Sequence, residues 1–304
     1  MISLLRKILF GLMCSFWLSE ANAIPVVPVQ SEQVTEVIYP PPQSPLDTRD
    51  NDFIEILRTA LEKTTDTYGP FTLHPTEVAM NPLRFRHEIM EGRGPNVIWA
   101  SVSQEREEHL LSIKIPLRKG ILGYRLLLIN QTEQHKFSSV TNQGALLQFR
   151  AGQGSTWIDS DILRTNGFTV VTGSSYEGLF RMLMSGRFDF FPRGINEIYP
   201  ELEKRHTKYP NMVIEPHIML YYPLPKFFYV NKNNKKLAER LRYGLNIMLK
   251  DGSFDRIFIQ YNQHHIDNIH SSHWRVFTLT NPFLPEDIPF EQKELWYDLT
   301  EDNN

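Results

Sequence analysis

The sequence predicts an α/β protein built from two lobes of similar construction. Strand-like apolar runs alternate with stretches whose apolar residues recur at helical spacing, as is typical of α/β domains. The order strand, helix, glycine, strand occurs twice, around Met90-Glu-Gly-Arg93 and around Met184-Ser-Gly-Arg187. Two long apolar segments, residues 119–129 and 218–230, are candidates for the crossings between the lobes. A ligand would bind between two such lobes.

The N-terminal residues predict export. Two basic residues precede an apolar run over 8–18, and Ala21-Asn22-Ala23 has the small residues of a signal-cleavage site. We therefore expect residues 1–23 to be a signal peptide, 24–33 to be an extended leader, and the mature protein to lie in the periplasm. The one cysteine, Cys14, falls within the signal peptide, so the mature chain would hold no disulfide and no thiol nucleophile.

Charge and motifs argue against several classes of function. The chain has 32 Lys and Arg against 35 Asp and Glu and a pI of about 6.4, unlike the basic domains that bind nucleic acid. After the predicted signal peptide, no apolar run reaches the ~20 residues that cross a bilayer. Serine-hydrolase, zinc-protease and P-loop motifs are absent from the sequence. We expect a monomer with no cofactor, no nucleic acid partner and no membrane-inserted segment after signal cleavage.

Local patterns define the elements of the first half. Prolines at 40–42 end the first apolar run, and Asn81-Pro82 combines a capping residue with proline at the first helical position. The predicted order is a strand at 34–39, a helix from Asp50 or Asn51, a strand at 71–74, a helix from 82 to Gly92, and a strand at 96–102.

The second half repeats this order. Ser174-x-x-Glu177 is a capping box, and leucines spaced by four residues predict a late amphipathic helix. The predicted elements are a strand at 146–150, a glycine-rich turn, a helix from about Thr156, a strand at 169–172, a helix ending at Gly186, a strand at 188–191, apolar runs at 218–222 and 227–230, and a helix over 235–251.

The segment Trp99-Ala-Ser-Val-Ser-Gln-Glu-Arg106 has the chemistry of a carboxylate site. A guanidinium binds a carboxylate through two parallel hydrogen bonds, and Ser101 and Ser103 can add donors. The alternative is that Arg106 belongs to a solvated helical face, because charged residues surround it in Gln104-Glu-Arg-Glu-Glu108.

Several segments together resemble the extracellular solute-binding proteins of the polar amino acid type. The resemblance rests on the Tyr39-Pro-Pro turn, the Ser101-x-Ser-x-x-Arg106 segment, the Gly154-Ser-Thr156 turn and the ending Leu249-Lys-Asp-Gly-Ser-Phe254. It implies the two-lobed type II periplasmic binding fold with two crossing hinge segments. The implied divisions are lobe I over 34–129 and 226–304, lobe II over 130–225, and hinges near 128–132 and 222–228.

The resemblance also implies a binding site. In this family an arginine preceded five positions earlier by a serine holds the ligand's carboxylate, which here gives Arg106 and Ser101. The second lobe adds a hydroxyl and backbone N–H groups from a turn at a helix start, here Ser155 and Thr156. A helix N-terminus favours anions in any protein. The alternative for this turn is an ordinary helix cap.

The sequence departs from the family where an acidic residue binds the ligand's ammonium group. Alignment of Phe188-Asp-Phe-Phe-Pro-Arg193-Gly194 places Gly194 at that position, and an unpaired ammonium in a dry cleft is costly. Three interpretations follow. The ligand carries two anionic groups, one for Arg106 and one for Arg193; or Glu197 supplies the missing acid; or Arg193 simply pairs with Glu197 four residues later.

Aromatic and histidine residues complete the candidates. Tyr39, Trp99 and Trp157 are nearest the predicted cleft and either line it or belong to the core. The histidines at 264–273 have a metal-like composition, but helical rotation separates them, so we expect no metal site. Residues 274–304 extend beyond the usual family end, and we expect them to brace lobe I.

The resemblance implies a protein that closes on a small carboxylate-bearing ligand, amino-acid-like or dianionic, and delivers it to an ABC-type permease or a membrane sensor. One alternative is a ligand- or partner-binding sensory module with no transport role. Another is a dehydratase-like enzyme on the same fold, with Glu197 as its acid/base residue.

Overall fold

The structure is a computed structural model that describes residues 34–42, 48–77, 82–270 and 273–299. The predicted signal peptide and leader lie outside these residues. The predicted α/β alternation is confirmed. The strands are β1 (Thr35–Tyr39), β2 (Phe71–Pro75), β3 (Val97–Ser101), β4 (Leu110–Ile113), β5 (Tyr124–Asn130), β6 (Arg150–Gly154), β7 (Thr169–Gly173), β8 (Phe190–Gly194), β9 (Met212–Tyr221), β10 (Lys226–Asn231) and β11 (Arg275–Thr278). The helices are α1 (Asn51–Glu62), α2 (Thr65–Tyr68), α3 (Pro82–Met90), α4 (Gln104–His109), α5 (Gln134–Phe137), α6 (Gln143–Leu146), α7 (Ile158–Thr165), α8 (Tyr176–Met184), α9 (Ile195–Arg205), α10 (Lys235–Lys250) and α11 (Ser253–His270).

The first lobe contains two small sheets. Strands β1 and β2 pair in parallel, and β10 lies between β3 and β4 in an antiparallel sheet. Helices α1 and α10 cover these strands with their apolar faces, as their leucine spacing predicts. The shared core contains Val37, Phe53, Leu57, Val97, Phe228, Leu241 and Leu245, all fully buried.

The second lobe is one six-stranded sheet in the order β11-β9-β5-β8-β6-β7. Strand β5 pairs antiparallel with β8 and β9, and β6 pairs parallel with β7 and β8. Leu126 and Leu128 of β5 face one apolar cluster, whereas Leu127 and Ile129 face another. Because successive strand side chains point to opposite faces, this alternation shows that both sides of the sheet are covered.

The position of β5 corrects the predicted first hinge. Strand β5 lies inside the second-lobe sheet, so the first crossing precedes Tyr124 and does not fall near residues 128–132. A continuous apolar run cannot distinguish a crossing segment from a strand buried on both faces. The second crossing lies between the ends of β9 and β10, at residues 222–225, within the predicted range 222–228.

Two strands of the second lobe begin later than predicted. Residues 143–146 are helical and β6 is Arg150–Gly154, while β8 is Phe190–Gly194. The glycines suggested a turn, but Gly152 serves packing. A Cβ at Gly152 would lie 2.2 Å from the ring of Phe188, so glycine lets this ring lie flat against β6. Helix α7 accordingly begins at Ile158 rather than near Thr156.

The start of α8 also differs by one residue from the prediction. The Ser175 Oγ accepts the capping hydrogen bond from the Gly178 N–H at 3.2 Å, rather than Ser174. The helix itself and its glycine stop remain as predicted.

The C-terminal part of the chain joins both lobes. Helix α11 contributes Phe254 and Ile257 to the first-lobe core and Ile266 and Ile269 to a second-lobe cluster. Strand β11 then adds a parallel edge strand to β9, so the expectation that residues 274–304 brace lobe I is incomplete. The chain returns to the first lobe by Ile288, which is buried with residues of β3 and β10, and Leu295 then lies in the first-lobe core. No helix among the described residues is long and apolar enough to cross a membrane.

Candidate functional site

A cavity of about 240 Å³ is lined by residues from both lobes. The end of β3 and the start of β10 form its first-lobe wall, and the starts of α7 and α9 form its second-lobe wall. Its charged lining residues are Arg49, Asp50, Arg86, Arg106, Arg125, Asp159, Arg193, Glu197 and Lys226.

Arg106 and its two serines come together at one corner of this cavity. The Arg106 Nη1 donates hydrogen bonds to the Ser101 carbonyl at 2.6 Å and to the Ser103 Oγ at 3.0 Å. Ser103 is also the N-cap of α4, because its Oγ accepts from the Arg106 backbone N–H. Ser101 lines the cavity, whereas Ser103 does not. The Ser103 hydroxyl and the Ser101 carbonyl therefore orient the guanidinium, while the Ser101 side chain remains at the cavity wall.

The Arg106 guanidinium carries an uncompensated charge. No carboxylate among residues 34–42, 48–77, 82–270 and 273–299 lies within the 4.0 Å of an ion pair with it. Burial lowers the pKa of Arg106, and Arg86 acts in the same direction. Arginine nevertheless stays protonated in proteins, so this corner presents a cation.

The predicted turn of the second lobe reaches the cavity only in part. Thr156 and Trp157 line it, but Ser155 does not. The Ser155 N–H donates to the Gly173 carbonyl at 2.9 Å, so it is used within the sheet. Trp157 is half-buried and stacks on Phe191, with ring centres 6.2 Å apart. Trp157 therefore lines the cavity and also packs against the apolar core of the second lobe.

A network that the sequence analysis missed lies beneath this turn. The Arg125 Nη2 is 2.8 Å from the Asp159 Oδ1, and the Tyr222 hydroxyl donates to the same oxygen at 2.7 Å. Arg125 also approaches the Glu197 Oε2 at 3.4 Å. The sequence does indicate this network, because Arg125 is a lone arginine inside an apolar strand, and a buried arginine requires an acidic partner.

Arg193 is fully engaged inside the second lobe. Its Nε and Nη2 donate to the two carboxylate oxygens of Glu201 at 2.7 and 2.6 Å, and Nη2 is 3.0 Å from the Glu197 Oε2. Although burial opposes it, the two carboxylates raise the pKa of Arg193. The predicted pairing of Arg193 with Glu197 is therefore present, and it extends to Glu201. Two buried carboxylates therefore balance the charge of Arg193.

Glu197 is likewise engaged. Burial alone would raise its pKa, but Arg193 and Arg125 hold the pKa of Glu197 well below its usual range. Its Oε2 also accepts the Gly194 N–H at 3.1 Å, which caps α9. A Cβ at Gly194 would lie 2.8 Å from the Leu122 Cδ1, so a larger side chain there would require Leu122 to shift. Glu197 is therefore engaged by two arginines and a helix cap, and Gly194 supplies no carboxylate.

Lys226 is a second cation that the sequence analysis missed. It begins β10, is half-buried, and lines the cavity beside Ser101, its partner in the strand register. Its Nζ lies 5.6 Å from the ring centre of Phe53. Burial lowers the pKa of Lys226, and Asp50 partly opposes this effect. Across the described part of the chain, no carboxylate forms an ion pair with Lys226.

Tyr39 and Trp99 serve mainly the first-lobe core. Their ring centres are 5.9 Å apart, and Trp99 is equally close to Phe53. Trp99 lines the cavity, whereas Tyr39 does not. Among the residues that the structure describes, no group of three or more His, Cys, Asp or Glu is arranged to hold a metal ion, and His264 and His265 lie side by side on α11.

Comparisons with known proteins bear on the fold. Neither a protein-family model nor a curated protein sequence matches the chain. Among solved structures, the chain is similar to a periplasmic His/Glu/Gln/Arg/opine family-binding protein from Silicibacter pomeroyi in complex with lysine. That match has a TM-score of 0.55 and 10% identity, and it covers 75% of this chain and 96% of the other.

Two further structures have the same fold. An ancestral arginine-binding protein bound to arginine matches with a TM-score of 0.53 and 16% identity, over 75% of this chain and 97% of its own. A histidine kinase sensor domain with similarity to periplasmic binding proteins matches with a TM-score of 0.51 and 16% identity, over 76% and 96%. The fold implied by the sequence resemblance is thus confirmed: this chain is a divergent example of the two-lobed type II fold of periplasmic solute-binding proteins.

Proposed function

We propose that this chain is a periplasmic solute-binding protein whose lobes close on a small carboxylate-bearing ligand and deliver it to an ABC-type permease or a membrane sensor. The observation that carries the proposal is Arg106, a half-buried cation without an acidic partner among the described residues, held towards the cavity by Ser101 and Ser103. A ligand carboxylate would restore the charge balance through a paired hydrogen bond.

The two-lobed lining supports a closure mechanism. A ligand bound to Arg106 on the first lobe faces Thr156 and Trp157 on the second. Contacts that form only when the lobes approach make the ligand favour the closed state by their differential affinity. A receptor or permease can then recognise the closed form. The similarity to both binding proteins and a kinase sensor domain is compatible with either partner.

Glu197 favours binding over catalysis. A dehydratase would need an acid/base group that exchanges protons near neutral pH. The pKa of Glu197 lies well below its usual range because two arginines stabilise the ionised form, and its Oε2 caps a helix. Such a carboxylate is a structural anion, and it would be a poor proton donor.

A ligand screen with two arginine variants tests the proposal. Purified protein, unfolded and refolded to remove carried ligand, is screened by thermal shift against amino acids, dicarboxylates, short peptides and aromatic acids. A ligand at 100 times its Kd adds about 2.7 kcal/mol of stability. The shift should disappear in Arg106→Ala and persist in Arg187→Ala, which removes an exposed arginine outside the cavity lining. A shift that survives Arg106→Ala, or no shift with any compound, would refute the proposal.

A further inference from the structure

We propose that the cleft selects a ligand with two anionic groups and no ammonium group, and that Lys226 binds the second anion. The inference rests on the proposed function, since it assumes that a first carboxylate occupies Arg106. It assigns to Lys226 the role that the sequence analysis considered for Arg193. The ligand class that fits is a short dicarboxylate.

Two of the three acidic residues that line the cavity are buried and paired with protein cations. Asp159 is paired with Arg125 and accepts the Tyr222 hydroxyl, and Glu197 lies between two arginines. The third, Asp50, lies 3.8 Å from the guanidinium of Arg118, which is itself bound to Asp52, and its charge also acts on Lys226. An incoming ammonium group would have to displace an arginine from Asp159 or Glu197, or compete with Arg118 and Lys226 for Asp50. Displacing a buried partner leaves a charge unpaired, which costs several kcal/mol.

The basic residues of the cavity divide into engaged and unengaged groups. Arg125 and Arg193 are bound to buried acids, Arg86 lies 2.8 Å from the Glu105 carboxylate, and the Arg49 guanidinium packs over the Tyr176 ring, 4.3 Å from its centre. Arg106 and Lys226 have no ion-pair partner among the described residues. The cavity therefore has two half-buried positive groups available to a ligand, and both lose solvation through burial. Two anionic groups on one ligand would compensate both positive charges.

Both cations are linked to the same residue of the first lobe, Ser101. Arg106 donates to the Ser101 carbonyl, and Lys226 is the cross-strand partner of Ser101 in the antiparallel pairing of β10 with β3. Residues paired in this way have Cα atoms about 5 Å apart, and their side chains point to the same face of the sheet. Both Ser101 and Lys226 line the cavity. A short ligand can therefore contact both cationic groups without spanning the whole cleft.

Titration calorimetry with matched ligands tests the inference. The probes are succinate and glutarate, their ammonium-bearing counterparts aspartate and glutamate, and butyrate as a single carboxylate. We expect a dicarboxylate to bind more tightly than its amino derivative. Lys226→Met should weaken dicarboxylate binding on the order of 10- to 100-fold, the range for one lost charge-assisted contact. Lys226→Arg should retain most of the affinity.

Matched variants separate this inference from the proposed function. Lys236→Met, which removes an exposed lysine outside the cavity lining, should leave every affinity unchanged. Lys226→Gln removes the same charge but keeps a polar side chain, and the unfolding transition of each variant shows whether it is folded. A loss of affinity in a folded variant is then not caused by misfolding. If Arg106→Ala abolishes binding but Lys226→Met and Lys226→Gln bind dicarboxylates like the wild type, or if an amino acid binds best, the inference alone is wrong. If no dicarboxylate binds but another compound of the wider screen does, the inference alone is wrong; if no compound binds, or binding survives Arg106→Ala, the proposed function fails with it.

Discussion

Arg193 and Glu201 form a doubly hydrogen-bonded ion pair inside the second lobe, with N···O distances of 2.7 and 2.6 Å and both side chains almost fully buried. The Arg193 guanidinium also lies 4.9 Å from the ring centre of Trp157. The Tyr176 hydroxyl donates to Glu201 at 2.6 Å, which satisfies a further oxygen lone pair. The pair is thus the centre of a network that connects β8, α8 and α9 behind the cleft.

Arg193→Ala should destabilise the protein strongly, because it leaves the Glu201 and Glu197 carboxylates buried with fewer cations. Breaking a buried pair typically costs about 3–5 kcal/mol. Urea denaturation measures the change. The control is Arg150→Ala, which breaks a similar double contact with Asp189 at an exposed position and should cost at most about 1 kcal/mol. An Arg193→Ala protein of unchanged stability that binds ligand poorly would instead identify Arg193 as a ligand contact.

Ser103→Ala should weaken ligand binding through Arg106. The substitution removes one of the two acceptors that fix the guanidinium, together with the N-cap of α4. We expect a stability loss of about 1 kcal/mol and an affinity loss of about 10-fold, smaller than that of Arg106→Ala. Thermal denaturation and calorimetry on the same samples measure both.

Ser175→Ala is the matched control for that experiment. The Ser175 Oγ caps α8 in the same way, but the residue lies outside the cavity lining. It should reproduce the stability loss with unchanged affinity. Equal affinity losses in the two variants would mean that Ser103 acts only through general stability.

The two-lobed fold could be predicted because local patterns are strong along this chain. Helices α1, α8 and α10 have apolar residues at helical spacing, and glycines end α8 and α10 as expected. The first hinge could not be placed, since the residues of β5 are apolar on both faces. Strand β6 was misplaced because Gly152 makes room for the Phe188 ring, a contact that only the tertiary structure shows.

The sequence predicts only those residues of the candidate site that lie together in one continuous segment. Ser101, Ser103 and Arg106 lie within six residues, so their proximity follows from the chain itself. Lys226 reaches the same corner from more than a hundred residues away through strand pairing, which no local pattern specifies. The engagement of Arg193 by Glu201 depends likewise on the turn from β8 into α9.

His265 should make stability fall with decreasing pH. Burial lowers the pKa of His265 to about 4, with His264 and Arg118 acting in the same direction, whereas the unfolded value is near 6.5. The unfolded chain therefore binds the proton first, so stability is lost as the pH falls from about 6.5 towards 4. The full shift would correspond to about 3 kcal/mol, and because the ring is partly exposed, solvent screening makes the expected loss smaller.

Urea denaturation at pH 7 and at pH 4 measures this contribution. The wild-type loss between these values should be smaller in His265→Gln, which removes the titrating ring that stacks on Tyr199 at 6.2 Å. His217→Gln, at an exposed position, should behave like the wild type. Identical pH dependence in the wild type and His265→Gln would contradict the shifted pKa.

The C-terminal segment should stabilise the first crossing partly through the packing of Trp296 on Gly120. Gly120 has a positive φ of 79°, and a Cβ there would lie 2.7 Å from the Trp296 ring. Gly120→Ala therefore combines backbone strain of about 1 kcal/mol with a steric clash of about 1–3 kcal/mol. Gly186→Ala is the matched control, since Gly186 has a φ of 69° and no atom near its Cβ position.

We expect urea denaturation to show the larger loss for Gly120→Ala, and the difference between the two variants gives the energy of the clash. Trp296→Ala in the Gly120→Ala background should recover part of that difference, because it removes the clashing ring. Trp296 also donates its Nε1–H to the Pro289 carbonyl at 2.9 Å, so recovery will be incomplete. Equal losses in the two glycine variants would show that the ring does not pack on the crossing, and the hydrogen bonds of Lys119 with Glu294 and Tyr297 would then hold the segment there.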